Sequence, residues 1–118
     1  MIKSDEPYIR HILDAINLID GYVSNLKKED FLSESNKMVQ DAVIRELEII
    51  GEAIKLLSEN IKKENSFLPW RDIGDMRNKL IHEYFGVDLS VVWRVIENDL
   101  PVLKNAMNKL LKSLDQNT

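Results

Sequence analysis

Residues 36–61 read NKMVQDAVIRELEIIGEAIKLLSENI, and within them Val39, Val43, Leu47, Ile50, Ile54, Leu57 and Ile61 recur at steps of three and four. That spacing lines one face of an α-helix, so the stretch predicts a long amphipathic helix from about Asn36 to Ile61. A second apolar line at Ala42, Ile49, Ala53 and Leu56 widens the stripe. A helix this broad on its apolar side has two partners to cover, one expected in the same chain and the other in a second chain.

The same period extends in both directions. Ile9, Ile12, Leu13, Ile16, Ile19, Tyr22, Val23 and Leu26 predict a helix from about Glu6 to Leu26. The polar run 27–35 breaks the pattern and reads as a connection holding one turn around Phe31 and Leu32. After the charged segment 62–69, Pro69 suits a helix start, and a third helix begins near Trp70, with Ile73, Met76, Leu80 and Tyr84 on its core side and a stop at Gly86. Asp88 or Ser90 can cap the last helix, whose apolar residues run from Val91 to Leu114. Pro101 interrupts it, which predicts a kink, or a split with Asn98 or Asp99 as the new cap. No strand-like alternation and no internal repeat occurs. The fold class is therefore all-α, an antiparallel bundle of four to five helices, expected as one domain over residues 1–118.

Composition narrows the chemistry. The chain of 118 residues holds no Cys, which removes disulfides, thiolate zinc sites and Cys nucleophiles together. No uncharged stretch approaches the roughly 18 apolar residues of a membrane span, and Met1 leads into charged residues, so the expected location is cytoplasmic, away from membranes. The net charge of −4 argues against a general polyanion binder. Yet residues 1–60 carry net −5 and residues 61–118 net +1, so any phosphate chemistry belongs to the second half.

That half contains Arg77-Asn78-Lys79-Leu80-Ile81-His82-Glu83-Tyr84. On a helix, Asp75, Asn78, Lys79 and His82 share a polar stripe, opposite the Ile73, Met76, Leu80 and Tyr84 line. Arg77 and His82 stand about 140° apart, so one substrate meets both through the reach of Arg, a local distortion or a second chain. An Arg with a His, lacking a thiol or a carboxylate cage, suits phosphodiester cleavage by the substrate's own nucleophile, the 2′-hydroxyl of RNA. His82 exchanges protons near neutral pH, Arg77 places a fixed charge on the phosphate, and Asn78 orients the imidazole or binds the phosphate. No metal and no cofactor is called for. Each residue also has a structural reading: His82 as a surface residue near a helix C-terminus, Arg77 paired with Asp75 or Glu83, Tyr84 as a core aromatic.

The spacing Arg, four residues, His, one residue, Tyr resembles the motif of the HepT toxins of the HEPN superfamily. The runs Leu47 to Ala53, Pro69 to Ile73 and Tyr84 to Asp88, with Trp93 and Asp99-Leu100-Pro101, are similar to that family as well. The resemblance covers nearly the whole chain and implies a HEPN-like helical bundle. It further implies a metal-independent endoribonuclease, the toxin of a toxin–antitoxin pair, with Arg77 and His82 catalytic at a homodimer interface. The implied antitoxin is a minimal nucleotidyltransferase, MNT, that transfers AMP from ATP onto Tyr84. The alternative is a non-catalytic HEPN subunit that docks to, and is modified by, that nucleotidyltransferase.

Overall fold

The computed structural model describes residues 3–75 and 88–116, and every described element in it is helical. Helix α1 (Glu6–Val23) starts with Pro7 in its first turn, where a missing N–H costs no hydrogen bond. It buries Ile9, Ile12, Leu13, Ile16 and Ile19. After a short helix α2 (Lys28–Leu32) and a single 3₁₀ turn (Glu34–Asn36), α3 (Lys37–Leu56) runs back along α1 and buries Val43, Leu47, Ile50 and Ile54 against it. Short helices α4 (Glu59–Glu64), α5 (Trp70–Gly74) and α6 (Leu89–Arg94) follow, then α7 (Leu100–Gln116), which covers α1 from its other side with Leu100, Leu103, Met107 and Leu114. The molecule measures 47 × 29 × 21 Å. Its least dimension is about two helix diameters, as expected of helices packed in two layers. No described helix is long and apolar enough to cross a membrane.

The connection predicted over 27–35 is more ordered than its polarity suggests. The Lys27 backbone N–H donates to Asp30 Oδ2 at 2.9 Å, capping α2 at its start. At its end the free carbonyls are met by side chains: Asn36 Nδ2 donates to the Asp30 carbonyl, and buried Gln40 Nε2 donates to those of Phe31 and Ser33 at 2.7 and 2.9 Å. This closure lets Phe31 be fully buried, its ring centroid 5.3 Å from that of Trp93 in α6.

Three helix boundaries differ from the periodicity reading, the first being that the helix expected to reach Leu26 ends at Val23. The long helix expected to reach Ile61 stops at Leu56. Leu57 turns extended, and Ser58 starts α4 by accepting the Ile61 N–H on its Oγ. The break is held from far along the chain: the buried Asp5 carboxylate accepts from the Ser58 N–H and Oγ–H, both at 2.8 Å. The apolar period survives the break because Leu57 and Ile61 still point into the core. Near Pro101 neither Asn98 nor Asp99 starts a new helix. Pro101 lacks an N–H, and its ring would meet the carbonyl of Glu97 in a regular helix. The backbone instead widens into a π turn over Val95–Asp99, with the Leu100 N–H reaching back five residues to the Val95 carbonyl. Asp88 is the cap of α6, its Oδ1 accepting the Ser90 N–H.

Replacing Asp5 with Ala leaves the Ser58 donors without their partner and should cost about 1–3 kcal/mol. Asp20→Ala, which removes an exposed pair with Lys104, should cost no more than about 1 kcal/mol. Urea midpoints at unchanged slope measure both. Phe31→Ala should be the most damaging of the three, at about 3–5 kcal/mol, because it empties the seam between α2 and α6.

Candidate active site

The four residues singled out for chemistry, Arg77, Asn78, His82 and Tyr84, lie outside the described residues, together with Met76, Leu80 and Gly86. What the structure defines is how the chain enters and leaves that stretch. On the entry side, Pro69 precedes α5 and the Trp70 indole N–H is shared between the carbonyls of Lys62 and Asn65, at 3.1 and 3.0 Å. This pins the first residue of α5 to the end of α4. Ile73 is buried, and Gly74 lies so close to α3 that an added Cβ would sit 3.6 Å from Ile54 Cγ2 and 3.8 Å from Lys55 Cγ. The chain therefore approaches the motif tight against the C-terminal end of α3.

On the exit side, Asp88 caps α6, and Val92 and Trp93 seat that helix on α2. Helix α2 adjoins the N-terminal end of α3 through the Gln40 bonds. The two anchors thus stand at opposite ends of a helix of 20 residues, about 30 Å long. Both are held by buried aromatic side chains, Trp70 partly so and Trp93 with 8% exposure, which is the packing a sequence pattern of Pro-Trp and Val-Val-Trp cannot disclose by itself.

A groove of about 370 Å³ opens between α1 and α3. Tyr8 and His11 line it from α1; Arg45, Glu48, Ile49 and Glu52 line it from α3, with Ala53 and Leu56 at one end. The motif reading missed these residues, although Glu48 and Glu52 fall in the Leu47 to Ala53 run. The signal that finds them is a three-then-four spacing displaced from the core stripe: 8 and 11 on α1, and 45, 49, 52 and 56 on α3. A second hollow of about 350 Å³, between α1 and α7, is bordered by Asp20, Lys104, Asn105 and Asn108. There the Lys104 ammonium already holds Asp20 at 3.1 Å, so its charge is locally offset. Among the described residues no three His, Cys, Asp or Glu side chains gather closely enough to hold a metal ion.

Comparison with known proteins bears on the whole chain. The family model described as ribonuclease HepT-like matches residues 12–110. A probable ribonuclease HepT of Thermococcus cleftensis is 45% identical over 112 residues, covering 95% of this chain and 100% of the relative. A candidate RNase of Caldanaerobacter subterraneus is 37% identical over 111 residues, covering 94% of this chain and 97% of its own. A Methanocaldococcus jannaschii protein, named as a gamma-glutamylcyclotransferase and candidate RNase, is 43% identical over 117 residues; the match takes in 99% of this chain, which spans only 52% of that protein. No solved structure matches the chain. With a helical bundle throughout the described residues, a family match over residues 12–110 and two relatives aligned over nearly their full length, the chain belongs to the ribonuclease HepT-like family.

Proposed function

We propose that the protein is an endoribonuclease that cleaves RNA without a metal ion, using Arg77 and His82. One observation carries this reading: the Arg77, His82 and Tyr84 spacing stands complete in a chain of this family, between the two anchored ends described above. His82 takes the proton of the RNA 2′-hydroxyl, and the 2′-oxygen attacks the adjacent phosphorus. Arg77 lays its planar cation on the phosphoryl oxygens as charge grows on the five-coordinate phosphorane. The P–O5′ bond then breaks and the leaving oxygen takes up a proton, giving a 2′,3′-cyclic phosphate and a free 5′-hydroxyl. Asn78, one turn before His82, orients the imidazole. DNA, lacking the 2′-hydroxyl, is not cut.

The same reading makes the protein the toxin of a toxin–antitoxin pair that acts as a homodimer in the cytoplasm, where RNA and ATP are available. Two copies concentrate Arg77 and His82 in one cleft and so create a positive site on an acidic protein. The antitoxin is a nucleotidyltransferase of the MNT type. The Tyr84 oxygen attacks the α-phosphorus of ATP, pyrophosphate leaves, and the attached AMP occupies the Arg77 cation and blocks the cleft.

Purified protein should degrade RNA in excess EDTA and leave cyclic-phosphate or 3′-phosphate ends. His82→Ala should lower the rate by about 10² to 10⁴, and Arg77→Ala by about 10² to 10³, with unchanged circular dichroism. Activity that disappears with EDTA and returns with magnesium refutes the mechanism. A parent protein that leaves RNA intact in every condition points instead to the docking subunit. Tyr84→Phe should cleave RNA like the parent yet stay active when the nucleotidyltransferase and ATP are added, whereas the parent stops and gains one adenylyl group on the peptide containing Tyr84. Equal silencing of both proteins would return Tyr84 to a packing role.

A further inference from the structure

The groove between α1 and α3 lies outside the chemistry assigned to Arg77 and His82, yet it is built like a ligand site. Its volume of about 370 Å³ falls in the range of small-molecule sites, roughly 300–1,000 Å³. The α1 wall carries two rings one turn apart, half-buried Tyr8 and exposed His11. The α3 wall carries Arg45 and Glu48, with Ile49 packed on the core as an apolar floor. Arg45 and Glu48 stand three residues apart, which on a helix sets their Cβ atoms about 5–6 Å from each other. Even so, they form no ion pair among the described residues, so the guanidinium fork and the carboxylate are both open to a ligand. Glu52, one turn further on, already has a partner.

Opposite charges side by side reject the simplest ligands. A phosphate is repelled by Glu48, and an ammonium group by Arg45. A neutral, planar group with two donors on one edge and two acceptors on the next satisfies both. We propose that the groove takes an unpaired guanine base of the RNA. The guanine N1–H and N2–H donate side by side to the Glu48 carboxylate, and O6 and N7 accept the two parallel N–H groups of Arg45, the commonest specific contact of arginine with a base. The ring system lies against Tyr8 and His11, as unpaired bases do on aromatic side chains. The other bases fail at the carboxylate. Adenine and cytosine place a ring-nitrogen acceptor beside their amine, and uracil flanks its single N–H with two carbonyls. Because Glu48 reads the edge used in base pairing, a guanine inside a duplex is refused. The groove also lies at the useful end of α3: its Ala53 and Leu56 share a turn with Ile54 and Lys55, which Gly74 approaches, and Gly74 stands three residues before Arg77. The inference rests on the reading of RNA cleavage and adds a base preference to it, with cuts falling near unpaired guanine.

Oligonucleotides with 2′-O-methyl riboses lack the attacking hydroxyl, so binding can be measured without cleavage. For a single-stranded 2′-O-methyl oligouridine with one central guanine, fluorescence anisotropy should find binding at least about fivefold tighter than for the same oligomer with adenine at that place. Inosine, which lacks the N2 amine, and 7-deazaguanine, which lacks N7, should fall between them. Glu48→Ala should abolish the preference for guanine over inosine, and Arg45→Ala the preference for guanine over 7-deazaguanine, both with unchanged circular dichroism. Equal affinity for the guanine and adenine oligomers, or variants that keep both preferences, overturns the proposal. Guanosine monophosphate that displaces the guanine oligomer when present at equal concentration would assign the groove to a free nucleotide and overturn the RNA as its source. Cleavage of unmodified RNA is read separately by mapping the cut ends. Guanine-selective binding without cleavage would leave the groove standing and remove the ribonuclease; cleavage without guanine-selective binding would do the reverse.

Discussion

Helix α1 has to be covered on two sides, and that requirement organises the rest of the protein. Ile9, Ile12, Leu13, Ile16 and Ile19 form a stripe too wide for one neighbour, so α3 closes one flank and α7 the other. Each such side chain taken fully out of water contributes about 1.5–3 kcal/mol, which outweighs any of the exposed ion pairs on the surface. The Lys104 to Asp20 contact between α7 and α1 orients rather than holds. With α1 enclosed, the short helices are left to fill the ends of the bundle.

Those ends are where polar groups decide geometry. Asp5 reaches the Ser58 turn across 53 positions of sequence, and Gln40 closes the carbonyls that α2 leaves free. A buried carboxylate or amide is tolerated only when its hydrogen bonds are met, and among the described residues every buried side-chain polar atom has a partner. Trp70 applies the same rule to the approach of the motif: its ring packs against the core while its N–H satisfies two carbonyls at the end of α4. The result is a stretch carrying Arg77, His82 and Tyr84 that begins and ends on rigid supports. Under the proposed mechanism, in which a proton acceptor and a cation meet one phosphate, such supports hold the two ends of the stretch in place.

The outer face of α3 is a different kind of feature. Its core-facing residues pack against α1, whereas Met38 and Leu56 are largely exposed. The second apolar line at Ala42, Ile49, Ala53 and Leu56 already marks the helix as having two sides to cover. Structure divides that line: Ala53 is buried against the bundle, while Leu56 is left in water.

Periodicity and composition determined the class of this protein. Runs of apolar residues at helical spacing, with no alternation of period two, leave only a helical bundle, and the absence of Cys with an Arg, His and Tyr in one short segment directs attention to phosphate chemistry. Capping was legible where it is local, as at Asp88, because its acceptor and donor are two residues apart. The end of α3 was not legible, because the period of Leu57 and Ile61 passes unbroken through a turn that is held by Asp5, a residue 53 positions away from Ser58. Pro101 announced an irregularity, but whether the helix would split or widen depended on how α7 had to continue across α1, and burial of Leu100 and Leu103 on that helix favoured the π turn. Local sequence carries the energetics of single helices. The choice between equally helical alternatives is made by contacts between residues far apart in the chain, and those exist only once the bundle has formed.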